Sequence, residues 1–131
     1  MTTQLICLLI GMLLPYIWAF SLLPFRNGQF GKIDLNEPRV QAEQLTGGGA
    51  RAVGAQSNAW EALIIFSVAN FAAFAMNVEP GGQWGLAAMI WAAARVGHGI
   101  FYIMGIAPLR VLSFVIATGM SIWIMMMALI A

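Results

Sequence analysis

The sequence predicts an all-α integral membrane protein that is a bundle of four transmembrane helices. The first observation is composition, because 61% of the 131 residues are hydrophobic and only 8% are charged, against about 25% charged in soluble domains. The second is that the apolar residues collect into four stretches, each close to the ~20 residues that a spanning helix needs. Strands would alternate in ~10-residue segments, which this sequence does not do. We therefore expect helices, which satisfy their backbone hydrogen bonds within hydrocarbon.

The spans are expected in a single domain of residues 1–131, at residues 5–25, 52–76, 85–104 and 109–131. No charged residue precedes Arg26, so the first span lacks the basic start of a signal peptide, and no cleavage site follows it. We interpret it as a retained span. Pro15 predicts a kink in its helix, and Pro24 predicts the helix end.

The three connections differ in length and polarity. Residues 26–50 form a long polar loop that closes in a run of three glycines. The second connection contains Glu79, Pro80 and Gly81, a turn signal, and the third spans only residues 105–108. Because these two are short, the last three helices are expected to be antiparallel neighbours.

The lysines and arginines predict the orientation. All six are expected on one side of the bilayer, at the first loop or near the third: Arg26, Lys32, Arg39, Arg51, Arg95 and Arg110. The positive-inside rule then places loop 26–50 in the cytoplasm and both termini on the opposite side. The compact length, without a eukaryotic retention signal, favours a bacterial inner membrane. A net charge of +1 gives no basic excess for nucleic acid.

Polar residues within the spans are the candidates for function, since ionisable groups are costly in a bilayer. At 100° per residue, Arg51, Asn58 and Glu61 of the second span fall within a sector of about 80°. The neighbouring residues are small, which lets another helix approach closely. This pattern predicts a polar seam between helices. The simpler alternative is that Asn58 and Glu61 only hold helices together.

A second group lies in the third span. Arg95, His98 and Tyr102 are three and four residues apart, which places them on one helix face, and Arg110 follows at the start of the fourth span. A lone histidine in a span is usually a packing residue, but here an arginine and a tyrosine share its face. The group is therefore a second candidate for function.

Charge pairing links the two groups. An unpaired charge at a helix centre costs at least about 2.5–3.5 kcal/mol, so we expect Glu61 to pair with an arginine, most simply Arg95, in the same or a neighbouring subunit. Arg51, Arg110 and Arg39 then remain free to attract an anionic ligand, which guanidinium groups bind through paired hydrogen bonds.

In these two motifs the chain resembles the family of membrane-associated proteins in eicosanoid and glutathione metabolism, the MAPEG family. The first motif is an arginine followed by Ala-x-x-Asn-x-x-Glu in the second span, and the second is Arg-x-x-His-x-x-x-Tyr with a later arginine. The resemblance covers nearly the whole chain. The matching residues are Arg51, Ala55, Asn58, Glu61, Arg95, His98, Tyr102 and Arg110.

The resemblance implies a homotrimer in which glutathione, as co-substrate, binds between subunits near the cytoplasmic face. A hydrophobic second substrate would arrive from the membrane lipids, and neither a metal nor nucleic acid is implied. Arg110 becomes the catalytic candidate that stabilises the glutathione thiolate, the nucleophilic form. The candidate glutathione contacts are Arg51, Gln56, Asn58, Glu61, Arg95, Tyr102 and, for positioning, His98.

The chain also departs from the family pattern. Gly54 lies where the glutathione-using branches place a second arginine, whose contact would be worth roughly 1.5–3 kcal/mol. Val111 replaces a serine of one branch. The leading hypothesis is a glutathione-dependent transferase or peroxidase acting on lipophilic electrophiles. The alternative is a non-catalytic, lipid-binding or accessory membrane subunit. A proton-coupled multidrug transporter is disfavoured because the first span contains no acidic residue.

Overall fold

The computed structural model describes residues 1–131 as five helices without strands. Four helices are long and apolar enough to cross a membrane, which confirms the predicted all-α membrane fold with four spans. The fifth is short and lies in the first loop. The helices are α1 (Thr2–Phe30), α2 (Pro38–Glu43), α3 (Gly47–Ala75), α4 (Gly82–Met104) and α5 (Ala107–Ile130).

The four long helices run alternately up and down and give the bundle two distinct ends. At one end, here called the terminus end, the Gln4 side chain of α1 donates a hydrogen bond to the Pro80 carbonyl in the α3–α4 turn. At the other, here called the loop end, Arg51 Nε of α3 donates to the Ile103 carbonyl of α4 at 3.0 Å. The last three helices are thus antiparallel neighbours, as predicted.

Helix α1 is longer than the expected span. The prediction that it ends at Pro24 is wrong, because the helix continues to Phe30 and contains both Pro15 and Pro24. A proline removes one backbone donor, and membrane helices tolerate this loss. The helix ends instead at Gly31, whose φ of 72° is left-handed and whose N–H donates to the Asn27 carbonyl at 2.9 Å.

The first loop is shorter than the predicted residues 26–50, because α1 continues to Phe30 and α3 already begins at Gly47. Arg26 organises it. This side chain is only 8% exposed. Its Nε donates to Gln41 Oε1 at 2.8 Å, and its Nη2 donates to the carbonyls of Asp34 and Pro38 at 3.3 and 3.1 Å. Gln41 Nε2 donates in turn to the Lys32 carbonyl at 2.9 Å. One guanidinium therefore ties the loop and α2 to the end of α1.

A turn at Asp34 completes the loop. Its carboxylate accepts hydrogen bonds from the backbone N–H groups of Glu37 and Asn36, at 3.0 and 2.9 Å. These two bonds favour the ionised form and lower the pKa of Asp34 below its ordinary value.

The membrane core is packed by large rings against small residues. The rings of Phe66 and Trp91 stack with their centroids 3.7 Å apart. A Cβ atom on Gly99 would overlap the indole of Trp18, and one on Gly11 would come within 2.9 Å of Trp91. These glycines therefore let α1 approach α4 closely, while large apolar side chains cover much of the outer surface.

Candidate functional site

The two predicted polar groups meet through Asn58. Arg95 of α4 is only 2% exposed, and its Nη2 donates to the Asn58 carbonyl and to Asn58 Oδ1, at 3.1 and 2.8 Å. The Asn58 amide donates in turn to a Glu61 carboxylate oxygen at 3.5 Å. A polar chain therefore runs from a guanidinium inside the bundle, through a neutral amide, to a carboxylate on its surface.

The direct pairing of Glu61 with Arg95 is wrong within one protomer. Asn58 occupies the position next to the guanidinium, and the Glu61 side chain is exposed on the outer face of α3. The helical spacing placed Asn58 and Glu61 on similar faces, but only the residue nearer to α4 reaches Arg95. A contact between Glu61 and an arginine of a neighbouring subunit stays a prediction.

A cleft of about 250 Å³ opens beside Asn58, between α3, α4 and α5. Four of the predicted site residues line it, together with two apolar residues of α5. The lining comprises Asn58, His98, Tyr102, Arg110, Val111 and Phe114.

Arg110 brings positive charge to this cleft. Helix α5 begins at Ala107 and carries Pro108 in its first turn, a position that proline favours. Arg110 follows within the same turn, and its guanidinium carbon lies 4.6 Å from the centre of the Tyr102 ring. A cation over an aromatic face is attracted to it. The Tyr102 ring thus holds the guanidinium at the cleft.

His98 offers a free ring nitrogen at the same place. Its side chain is 3% exposed, and its Nδ1 has no hydrogen-bond partner within the protein. The imidazole meets the Tyr102 ring edge-on, with centroids 5.5 Å apart. Buried polar atoms are nearly always hydrogen-bonded, so His98 brings an unsatisfied nitrogen to a residue that lines the cleft.

The presence of glycine at position 54 is explained by its contact with Tyr102. A Cβ atom on Gly54 would lie 2.5 Å from the Tyr102 hydroxyl oxygen and 2.7 Å from Cζ, so any side chain there would move the ring. In this chain Tyr102 fills the space next to residue 54. The glycine at position 54, where the family pattern has an arginine, therefore removes a positive charge and also makes room for the Tyr102 ring.

Four predicted contacts do not line the cleft: Arg95 and Glu61, described above, and Arg51 and Gln56. Arg51 is half-buried at the loop end, where it donates to the Ile103 carbonyl beside the α4–α5 turn. Its partner is a neutral carbonyl, so its positive charge is not cancelled there. Gln56 is half-buried on α3 and does not line the cleft.

Sequence reasoning missed Phe114 and the role of Arg26. Phe114 lines the cleft, with its ring centroid 6.3 Å from that of His98. It lies four residues after Arg110, a helical spacing that could have identified it. Arg26 showed no such signal, since its acceptors are spread over the loop and an arginine that follows a span usually meets water or lipid headgroups.

Comparison with known proteins agrees with the motifs. Residues 4–130 match the model of the MAPEG family. A search of curated proteins and a search of solved structures each gave no significant match. A family match over nearly the full length, on a four-span bundle with residues of both motifs at one cleft, shows that the chain belongs to the MAPEG family.

Proposed function

We propose that the protein is a glutathione-dependent membrane transferase or peroxidase that acts on lipophilic electrophiles. The observation that carries the proposal is the cleft, where the Arg110 guanidinium lies over Tyr102 beside the unpartnered His98 nitrogen. The cleft thus combines one cation with several polar atoms. Glutathione is a peptide with carboxylates and a thiol, and these groups can bind to a guanidinium and to polar side chains.

Arg110 is the residue that we expect to act on the thiol. A guanidinium near the sulfur favours the thiolate, and the thiol proton passes to solvent. The thiolate then attacks an electrophilic carbon of the second substrate, forming a C–S bond while a leaving group departs or the adduct takes up a proton. With a hydroperoxide the thiolate attacks one peroxide oxygen instead, so that the O–O bond breaks, the alcohol leaves after taking up a proton, and a sulfenic acid forms. A second glutathione thiol then attacks this sulfenic acid, which gives the disulfide and releases water.

We further propose that the site is completed by a neighbouring subunit in a homotrimer. The cleft of about 250 Å³ in one protomer falls below the roughly 300–1,000 Å³ usual for ligand sites. Glu61 is the fifteenth residue of the 29-residue α3 and is exposed. Such a carboxylate is costly in lipid. A second subunit against this face would supply the missing wall and cover Glu61.

The lysines and arginines support a cytoplasmic location for the loop end. Under the positive-inside rule the cleft then lies within reach of cytoplasmic glutathione, while both termini lie across the membrane. A bacterial inner membrane is the setting that we propose.

Calorimetric titration of the detergent-solubilised protein with glutathione tests the proposal. We expect saturable binding, and the ultraviolet absorbance of the bound thiolate should be lost in Arg110→Ala. Conjugation of a lipophilic electrophile should fall about 100-fold in that variant, since removing one stabilising group costs roughly 10²–10³ in rate. Arg39→Ala, an exposed arginine of the loop, is the control. Absence of binding at millimolar glutathione would refute the proposal.

The second candidate function is a non-catalytic, lipid-binding or accessory subunit. It is favoured by Gly54, where the glutathione-using branches carry a second arginine. Copurification of a lipid or of a partner enzyme, together with no response to glutathione, would establish it in place of the first.

A further inference from the structure

A second and larger cavity lies toward the terminus end. It is a groove of about 580 Å³ between α1 and α3 that is lined by 12 residues, 9 of them hydrophobic and none with a charged side chain. Its walls include Leu9 of α1 and Leu63 and Phe71 of α3. The outward sides of Leu9 and Phe71 are exposed, at 53% and 72%. The groove therefore opens on the outer surface of the protomer.

Buried amides lie at the inner end of this groove, and one of them is already satisfied. Asn70 lines the groove and is 4% exposed. Its Nδ2 donates to the Phe66 carbonyl at 2.8 Å, and its Oδ1 accepts from Trp84 Nε1 at 2.9 Å. Asn70 thus has partners for its donor and its acceptor.

Gln4 is only half satisfied. Its side chain is 1% exposed and lines the same groove. The Nε2 group donates to the Pro80 carbonyl, which fixes the direction of the amide, but Oε1 has no partner. If Gln4 served only to hold α1 against the α3–α4 turn, its Nε2 donor would be sufficient and Oε1 would not be needed. The remaining acceptor is a buried polar atom beside an apolar cavity, a position in which native proteins nearly always supply a partner.

We propose that this groove binds a neutral lipophilic molecule that carries a hydrogen-bond donor, such as a long-chain alcohol. Its hydroxyl donates to Gln4 Oε1, and its hydrocarbon tail lies between Leu9 and Leu63. Nine of the 12 lining residues are hydrophobic and none has a charged side chain, so the lining suits a neutral ligand with an apolar tail better than it suits glutathione. The site is at the opposite end of the bundle from the cleft at Arg110 and does not depend on glutathione chemistry.

Photolabelling of the protein in phosphatidylcholine nanodiscs tests this site. The probe is hexadecanol with a diazirine in its tail, and cross-linked peptides are mapped by mass spectrometry. We expect labels on the groove faces of α1 and α3 that excess unlabelled hexadecanol removes. The same diazirine on hexadecane, which lacks the donor, should need roughly tenfold more probe for equal labelling, the effect of one hydrogen bond to a buried acceptor.

Two tryptophan substitutions provide a matched pair. Leu9 and Ile6 are both 53% exposed on α1, but Ile6 lines a different groove, between α1 and α4. Leu9→Trp should abolish the competed labelling, and Ile6→Trp should retain it. Equal labelling by the two probes, or equal effects of the two substitutions, would overturn the proposal. So would cross-links within the groove that join only one copy of the chain to another.

Discussion

At the scale of single residues, Tyr102 connects Gly54 to Arg110. The hydroxyl end of its ring packs against the backbone of Gly54, and the Arg110 guanidinium lies over the same ring. A substitution at residue 54 would therefore displace the Arg110 guanidinium indirectly, by moving the Tyr102 ring.

Gly54→Ala should destabilise the protein by about 1–3 kcal/mol, the usual cost of overpacking, and lower the glutathione-conjugating activity at least tenfold. Thermal unfolding in detergent and kcat/KM measure the two effects. Gly119→Ala is the matched control, because it lies within α5 and a Cβ there meets nothing within 4 Å. Equal activity of the two variants would contradict this role of Gly54.

Asn58 is the partner of a buried guanidinium, and its removal should be costly. Asn58→Ala leaves Arg95 without the Oδ1 acceptor, and a hydrogen bond to a charged group is worth about 1.5–3 kcal/mol. The melting temperature should fall accordingly. Asn58→Asp, which keeps an acceptor at that place, should recover most of the loss. If it does not, the hydrogen bond to Arg95 is not what Asn58 contributes.

At the scale of elements, the first loop depends on hydrogen bonds as well as on the packing of its buried Leu45 against Leu22 and Ala52. Three carbonyl or amide oxygens surround Arg26, and two backbone N–H groups surround the Asp34 carboxylate. The loop is thus a small folded unit fixed to the end of α1.

This unit should loosen in acid. Because the pKa of folded Asp34 is lowered, its contribution is present above the ordinary pKa of about 3.9 and is lost as the pH falls through the folded value. Hydrogen exchange of residues 31–46 should accelerate there. Asp34→Asn keeps an acceptor without titrating, so its exchange should lack this step. A step that persists in Asp34→Asn would assign it to another group.

The sequence predicted some elements better than others. The spans were predictable because a long apolar run that crosses a bilayer forms a helix. The extension of α1 past Pro24 and the helix α2 were not, since they depend on Arg26 bonding to residues 8 to 15 positions away. Helical spacing placed His98 and Tyr102 on one face of α4, and both line one cleft in the structure. It could not tell that Asn58 faces Arg95 while Glu61 faces outward, because that depends on where α4 lies.

At the scale of the whole molecule, the bundle separates two kinds of chemistry. The loop end carries the cationic cleft, and the terminus end carries the uncharged groove, with stacked rings and small residues between them. The family match accounts for the fold and for the motif residues at the loop end. The groove and its Gln4 acceptor are features of this chain's own structure.

The exposed carboxylate of Glu61, in the middle of α3, makes the stability of the protein in a cell depend on how many copies are present. A copy without neighbours must hold that group against hydrocarbon, neutralise it with a proton, or distort the bilayer around it. The association with a neighbouring subunit that we propose above would remove the cost of each of these states. By mass action, scarce copies would then be the least stable ones, and the amount of protein in the membrane would itself regulate how much of it is correctly folded.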